Sequence, residues 1–274
     1  MAGQQLDLFA VDRIGVEPGG GRTEPSLGAA ELANAVLIAA LADARLATAP
    51  GLAAEAATRR LVEAVPALQK LCRRLTGFGA GRVVPEQAAA LGALAAIGGE
   101  EARQTVARLV ADRIVQGPTL AIALGAAARL GASLPTPRLT QLLGDADPSV
   151  RAGACRCVRA AGPHLGLLTE LLDDLHSDVA AAAAIALGRI GRAEARPSLL
   201  GLLLRRRPSA EVIEALAPIA DQEVIVAFGR VARAMPDLTP HVLDALDQLD
   251  DPRAARVALA LRANPSARTA DEVA

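Results

Sequence analysis

Two stretches decide the fold: LLGDADPSVRAGACRCVRAAG at residues 142–162 and LLDDLHSDVAAAAAIALGRIG at residues 171–191. Each begins with a Leu-rich helix end, passes through an acidic turn and continues as an Ala-rich helix. A looser copy, ALDQLDDPRAARVALALRAN, occupies residues 245–264. The turns hold Asp145, Ala146, Asp147 and Pro148 in the first copy, Asp173 and Asp174 in the second, and Asp250, Asp251 and Pro252 in the third. Asp147, Ser149, Ser177 and Asp178 are residue types that cap a helix N-terminus. Pro148 and Pro252 fit the first helical turn, where no N–H is needed.

Working outward, similar closing signals recur: Ala96-Ile97-Gly98, Arg129-Leu130-Gly131, Ala160-Ala161-Gly162, Arg189-Ile190-Gly191 and Pro218-Ile219-Ala220. Their last residues lie 33, 31, 29 and 29 positions apart. Glycine in this place ends a helix through a left-handed C′ residue. A fixed period of this length marks a helical repeat array. A helix pair cannot bury its own apolar face, so neighbouring pairs stack.

The pattern resembles HEAT repeats, in particular the short variety of the bilin-lyase HEAT-like family. The residues that carry the resemblance are Asp147-Pro148-Ser149-Val150-Arg151 with Ala152 and Ala154, and Ala186 to Gly191 (ALGRIG). It covers residues 85–264. It implies an all-α, HEAT-like helical-repeat solenoid with an extended concave surface, and says little about function.

Composition agrees with stacked helices. Of 274 residues, 52% are hydrophobic and 1% aromatic, with Phe9, Phe78 and Phe228 but no Trp or Tyr. A core of Leu, Ala, Val and Ile lets helices approach closely. The domain reading is a flexible tail at residues 1–27, a solenoid at 28–264 and a C-terminal tail at 265–274. Within the solenoid, residues 28–84 form atypical N-terminal helices and 85–264 the repeats. Ser26 caps a helix over 28–48, Ala49-Pro50-Gly51 breaks it, and a second helix spans 52–76 with Pro66 kinking or splitting it.

The net charge is −1 and the pI about 6.3, so nothing in the total demands nucleic acid or an anionic membrane. Lys70 is the sole lysine; the Arg and Ala bias reads as a GC-rich bacterial coding sequence. No transmembrane run or signal peptide is evident, and Cys72, Cys155 and Cys157 make no disulfide framework. The expected location is cytoplasmic.

Candidate chemistry is sparse. Some HEAT-like hydroxylases bind iron through repeated His-Glu pairs; here no Glu follows His164, His176 or His241, and all three fall near turns. Cys155 and Cys157 are two apart, so on a helix they face different ways and read as small buried residues. Nucleophile-elbow and phosphate-loop motifs are absent. The expectation is therefore no enzyme, no cofactor and no metal.

Arg59, Lys70 and Arg74, with Arg73 and Arg82 nearby, would form a basic surface on a continuous 52–76 helix. Arg151, Arg156 and Arg159 share one repeat helix, and Arg205, Arg206 and Arg207 form a run. HEAT-like DNA glycosylases hold duplex on a basic concave face with aromatics. Without Trp or Tyr the stacking platform is missing, so solvated arginines are the better reading and nucleic acid is weakly supported.

The tail carries the most specific motif. Gln5, Leu6, Asp7, Leu8 and Phe9 resemble, at every position, the peptide by which bacterial polymerases and repair proteins bind the replication sliding clamp. Leu8 and Phe9 would enter an apolar pocket while Gln5 fixes the register. That implies an adaptor in DNA replication or repair, tethered to the sliding clamp and holding a second protein on its solenoid. Two alternatives stand beside it. One is a generic scaffold whose Leu6, Leu8, Phe9, Val11 and Ile14 dock on its own first helices. The other is a HEAT-like DNA-handling enzyme or bilin lyase.

Overall fold

The Asp-Pro turns fold as their chemistry dictates. In the computed structural model, which describes residues 29–79, 81–160 and 162–263, the carboxylate of Asp147 accepts the backbone N–H of Ser149 at 2.8 Å, and Pro148 opens the helix behind it. Asp251 accepts from Arg253 in the same way at 2.7 Å. The second repeat departs from its expected caps. Neither Ser177 nor Asp178 caps; Asp174, three residues before the helix starts, accepts the N–H of His176 at 2.9 Å.

The described residues form fifteen α-helices joined by short turns and single 3-10 turns. They are α1 (Asn34–Ala42), α2 (Ala49–Thr58), α3 (Val65–Arg74), α4 (Pro85–Ile97), α5 (Gly99–Ala111), α6 (Pro118–Leu130), α7 (Thr136–Leu143) and α8 (Pro148–Cys157). There follow α9 (Leu165–Glu170), α10 (Ser177–Arg189), α11 (Arg196–Leu203), α12 (Ala210–Leu216), α13 (Gln222–Ala234), α14 (Thr239–Asp247) and α15 (Pro252–Ala263).

These helices stand in two rows. Each even-numbered helix from α2 to α14 packs on the next, whereas in the odd-numbered row α5 barely meets α7, and α9 barely meets α11. The even-numbered helices form the more closely packed row, the inner row. Composition explains the asymmetry. Inner-row contacts are made by Ala123, Ala126 and Ala127 on α6, by Ala152 and Ala154 on α8, and by Ala182, Ala183 and Ala186 on α10, all buried. Short side chains let axes approach toward the close end of the usual 8–10 Å range. Gly188 on α10 is the tightest point: a Cβ there would strike the backbone carbonyl of Ala215 and sit 2.6 Å from Leu199 Cδ1. One apolar cluster runs continuously from Leu37 to Ala258, with Phe228 its one aromatic among the described residues.

Several boundaries differ from the sequence reading. Ser26 lies outside the described residues. The helix expected over 28–48 is a 3-10 turn (Ala29–Glu31) followed by α1, and Pro50 and Gly51 lie in the first turn of α2 instead of breaking the chain. The helix expected over 52–76 is interrupted after Thr58: Arg60 takes positive φ, a 3-10 turn follows, and Pro66 opens α3 instead of kinking it. Proline there satisfies a helix start, which is why it reads ambiguously. Gly98, Gly131 and Gly191 do take positive φ at helix ends. The third signal is displaced: α8 stops at Cys157, five residues before Gly162.

The loose copy at 245–264 also changes sense. In the copies at 142–162 and 171–191 the acidic turn leads from the outer row to the inner. In the third copy α14 packs on α12 in the inner row and α15 on α13 in the outer. The thirteen-residue α13 takes the outer position ahead of it and inverts the phase.

Candidate functional site

The inner row carries a run of small, half-buried residues on successive helices. On α4 it presents Ala88, Gly92 and Ala95, and on α6 Ala121, Gly125 and Ala128, all half-buried. Gly92 and Gly125 lie one repeat apart, and a Cβ built at either meets nothing within 4 Å. Neither glycine is demanded by packing, and each leaves open space in front of its helix. Farther along the row the surface becomes cationic at the helix C-termini. Arg129 ends α6, Arg156 ends α8, and Arg189 ends α10; all three are exposed. Arg159 donates to the Ala128 carbonyl and so brings a fourth guanidinium beside the end of α6. Arginine at a helix C-terminus offsets the partial negative charge of the unpaired carbonyls. Arg189 lies 3.7 Å from Glu214 and 3.9 Å from Glu211.

The residues that identify the repeat are structural. Arg151 of α8 holds Asp174 of the next repeat through two hydrogen bonds of 2.9 and 3.0 Å, and donates to the carbonyls of Asp145 and Ala146. Both partners are largely buried. The N–H of His176, then the Arg151 guanidinium, hold the Asp174 carboxyl below the usual carboxylate range. Arg196, at the start of α11, pairs with Asp221, the N-cap of α13, at 2.9 Å.

Asp147 is likewise held low, chiefly by the Ser149 hydroxyl. Buried Gln87 donates to the carbonyls of Cys72 at 3.0 Å and Leu75 at 3.3 Å, tying the end of α3 to α4.

His164 is buried and lies 3.3 Å from the Thr140 hydroxyl, while His176 and His241 are exposed near turns. All three cysteines are buried, and burial pushes each thiol up to about 12, so none is a thiolate at neutral pH. Among the described residues no group of three His, Cys, Asp or Glu side chains is placed to hold a metal ion. No helix among them is long and apolar enough to cross a membrane. On the outer row, Leu200 and Leu204 of α11 and Val226, Ala227 and Arg230 of α13 line a shallow open cleft.

The basic surface expected on one helix is divided. Arg59 ends α2, whereas Lys70, Arg73 and Arg74 lie on α3. Arg59 is half-buried against Glu55 and four acceptors near the start of the described chain. Lys70 lies 3.6 Å from Asp43, Arg73 2.9 Å from Asp112, and Arg74 donates to the carbonyls of Ala42 and Ala44. Arg205, Arg206 and Arg207 are exposed in the loop after α11. Gln5, Leu6, Asp7, Leu8 and Phe9 lie outside the described residues.

The open positions at Gly92 and Gly125 escaped the sequence reading, although two glycines inside Ala-rich helices, 33 residues apart, were their signal.

Comparison with known proteins agrees with this geometry. A family model described as HEAT repeats matches residues 136–217. No curated protein matches the sequence. Among solved structures, the complex of CpcE and CpcF of phycocyanin lyase from Nostoc sp. PCC7120 contains a similar chain. It is 18% identical, with a TM-score of 0.62 over 92% of this chain and all of that one. The HEAT-like solenoid resembling the bilin-lyase type is thus the fold of this chain. The same likeness overturns the expectation that the chain is no enzyme. A lyase is built on this fold, so the lack of a familiar catalytic motif does not exclude activity.

Proposed function

We propose that the chain is a scaffold that seats a protein partner along its inner row. The observation that carries this reading is the pair of half-exposed glycines, Gly92 and Gly125, on successive inner helices with open space before each. A helix or extended segment approaches closest where no side chain projects, and the arginines at the ends of α6 and α8 suit an acidic flank. The similar chain belongs to a complex of two chains, CpcE and CpcF, which supports making a second chain part of the reading.

For the N-terminal segment, the proposal is a tether to the bacterial sliding clamp through Gln5, Leu6, Asp7, Leu8 and Phe9, serving replication or repair. Its support is the motif alone. Burying one Leu and one Phe contributes roughly 1.5–3 kcal/mol each before ordering costs, so micromolar affinity is expected.

Two experiments separate these claims. Purified clamp is titrated with the full chain and with its Leu8→Ala/Phe9→Ala variant; binding is expected in the first and not the second, and no binding by the intact chain removes the tether. Affinity capture from bacterial extract compares wild type with Gly92→Leu/Gly125→Leu. A partner retained by the first and lost by the second supports the inner row; identical partner sets exclude it.

A further inference from the structure

We propose that the outward face of α1 is the docking surface for residues 5–14 of the same chain. After Asn34, α1 reads AVLIAALA, with no polar side chain. Leu37 and Leu41 enter the core, yet Val36 is 54% exposed, Ala35 and Ala39 are exposed, and Ile38 and Ala40 half-exposed. A helix apolar on every side belongs inside, and the end units of a solenoid carry a polar outer face. The other end is mixed: α15 exposes Arg253, Arg256 and Arg262, and with them Leu259 at 68%. At α1 the outer face is left without a cover among the described residues.

The occupant follows from where the remaining chain joins. The Arg59 guanidinium accepts no freedom at that point: it donates to the carbonyls of Ala29 at 3.3 Å, Ala30 at 2.9 Å and Leu32 at 2.8 Å, and to the Asn34 side chain at 2.7 Å. Residues 1–28 therefore enter the body at a fixed place beside the first turn of α1. Residues 15–28 number fourteen, enough for roughly 45 Å when extended. α1 has nine residues and is about 13 Å long, so the segment 5–14 reaches all of it. That segment holds Leu6, Leu8, Phe9, Val11 and Ile14, five large apolar side chains in ten residues. Covalent tethering gives it an effective concentration of order millimolar, at which a small apolar contact is populated without help from a second molecule. Leu8 and Phe9 cannot lie on α1 and in a clamp pocket at once, so α1 competes with the clamp if that tether holds; the docking itself does not depend on it.

Hydrogen exchange of the full chain, with no clamp present, tests this reciprocally. In Leu8→Ala/Phe9→Ala, amides of α1 are expected to exchange about tenfold faster than in wild type while those of α8 and α10 stay unchanged. In Val36→Asp, a surface substitution that spares the core, amides of residues 5–14 are expected to speed up by a similar factor. Unchanged exchange in both variants overturns the proposal. So does α1 protection that fades on dilution together with a dimer in sedimentation, which assigns the face to a second copy.

Discussion

Between α8 and α10, Arg151 reaches across to Asp174 of the next repeat, and Gly188 lets α10 settle against α12. At the N-terminal end, Arg59 instead folds back on carbonyls of its own unit, and α1 turns alanines and a valine outward. The central joint has a neighbour on each side, so its buried charges and glycines are spent on contact between repeats. Among the described residues the end unit has a neighbour on one side only. Its arginine closes loose backbone, and its free face is left for something else. Specific polar bonding therefore ties repeat to repeat in the middle, whereas at the end it closes the unit on itself and leaves apolar side chains exposed.

The hardest blow to the centre is Gly188→Ala. The added methyl meets the Ala215 carbonyl, which cannot move without shifting α12, and a loss of about 2–3 kcal/mol is expected in the urea midpoint. Next comes Asp174→Ala, which leaves the Arg151 guanidinium buried without its partner; a loss of roughly 2 kcal/mol is expected by thermal unfolding. This joint is pH-dependent in a definite sense. Because the folded carboxyl titrates below its unfolded value, its stabilisation is whole above about pH 4 and is lost as pH falls below that. Acid titration should thus cost wild type more than Asp174→Ala.

Arg59→Ala sharpens the contrast from the other end. Exchange is expected to quicken in residues 29–42 while the urea midpoint moves by less than about 1 kcal/mol, because fraying of an end does not unlock the centre. An equal global loss in Arg59→Ala and Asp174→Ala would erase the distinction. The smallest effect has the opposite sign. Gly92→Ala and Gly125→Ala fill open space in a helix interior, and each is expected to add about 0.5–1 kcal/mol by calorimetry. Failure to stabilise would mean that these glycines serve packing and not a partner.

Much of this was legible in the chain. Asp147 and Pro148 announce a helix start by local chemistry, and Gly98, Gly131 and Gly191 announce helix ends, because capping involves residues within one turn. The N-terminal unit was harder to read. Pro50 and Pro66 are compatible with either a break or a start, and only packing of α1 on α2 and α3 chooses. Arg59, Lys70 and Arg74 looked like one basic stripe because their spacing suits a continuous helix. The turn after Thr58 divides them, and each finds an acceptor far from it in sequence.

The sequence by itself determined the repeat, its all-α class and the residues that cap and end its helices, since these rest on local backbone chemistry and on a period. The tertiary structure alone decided which row packs more closely, that α13 reverses the phase of the last repeat, that Arg151 is a joint, and that α1 shows an apolar face outward. Those facts depend on which side chains meet across tens of residues, and no local rule carries that information.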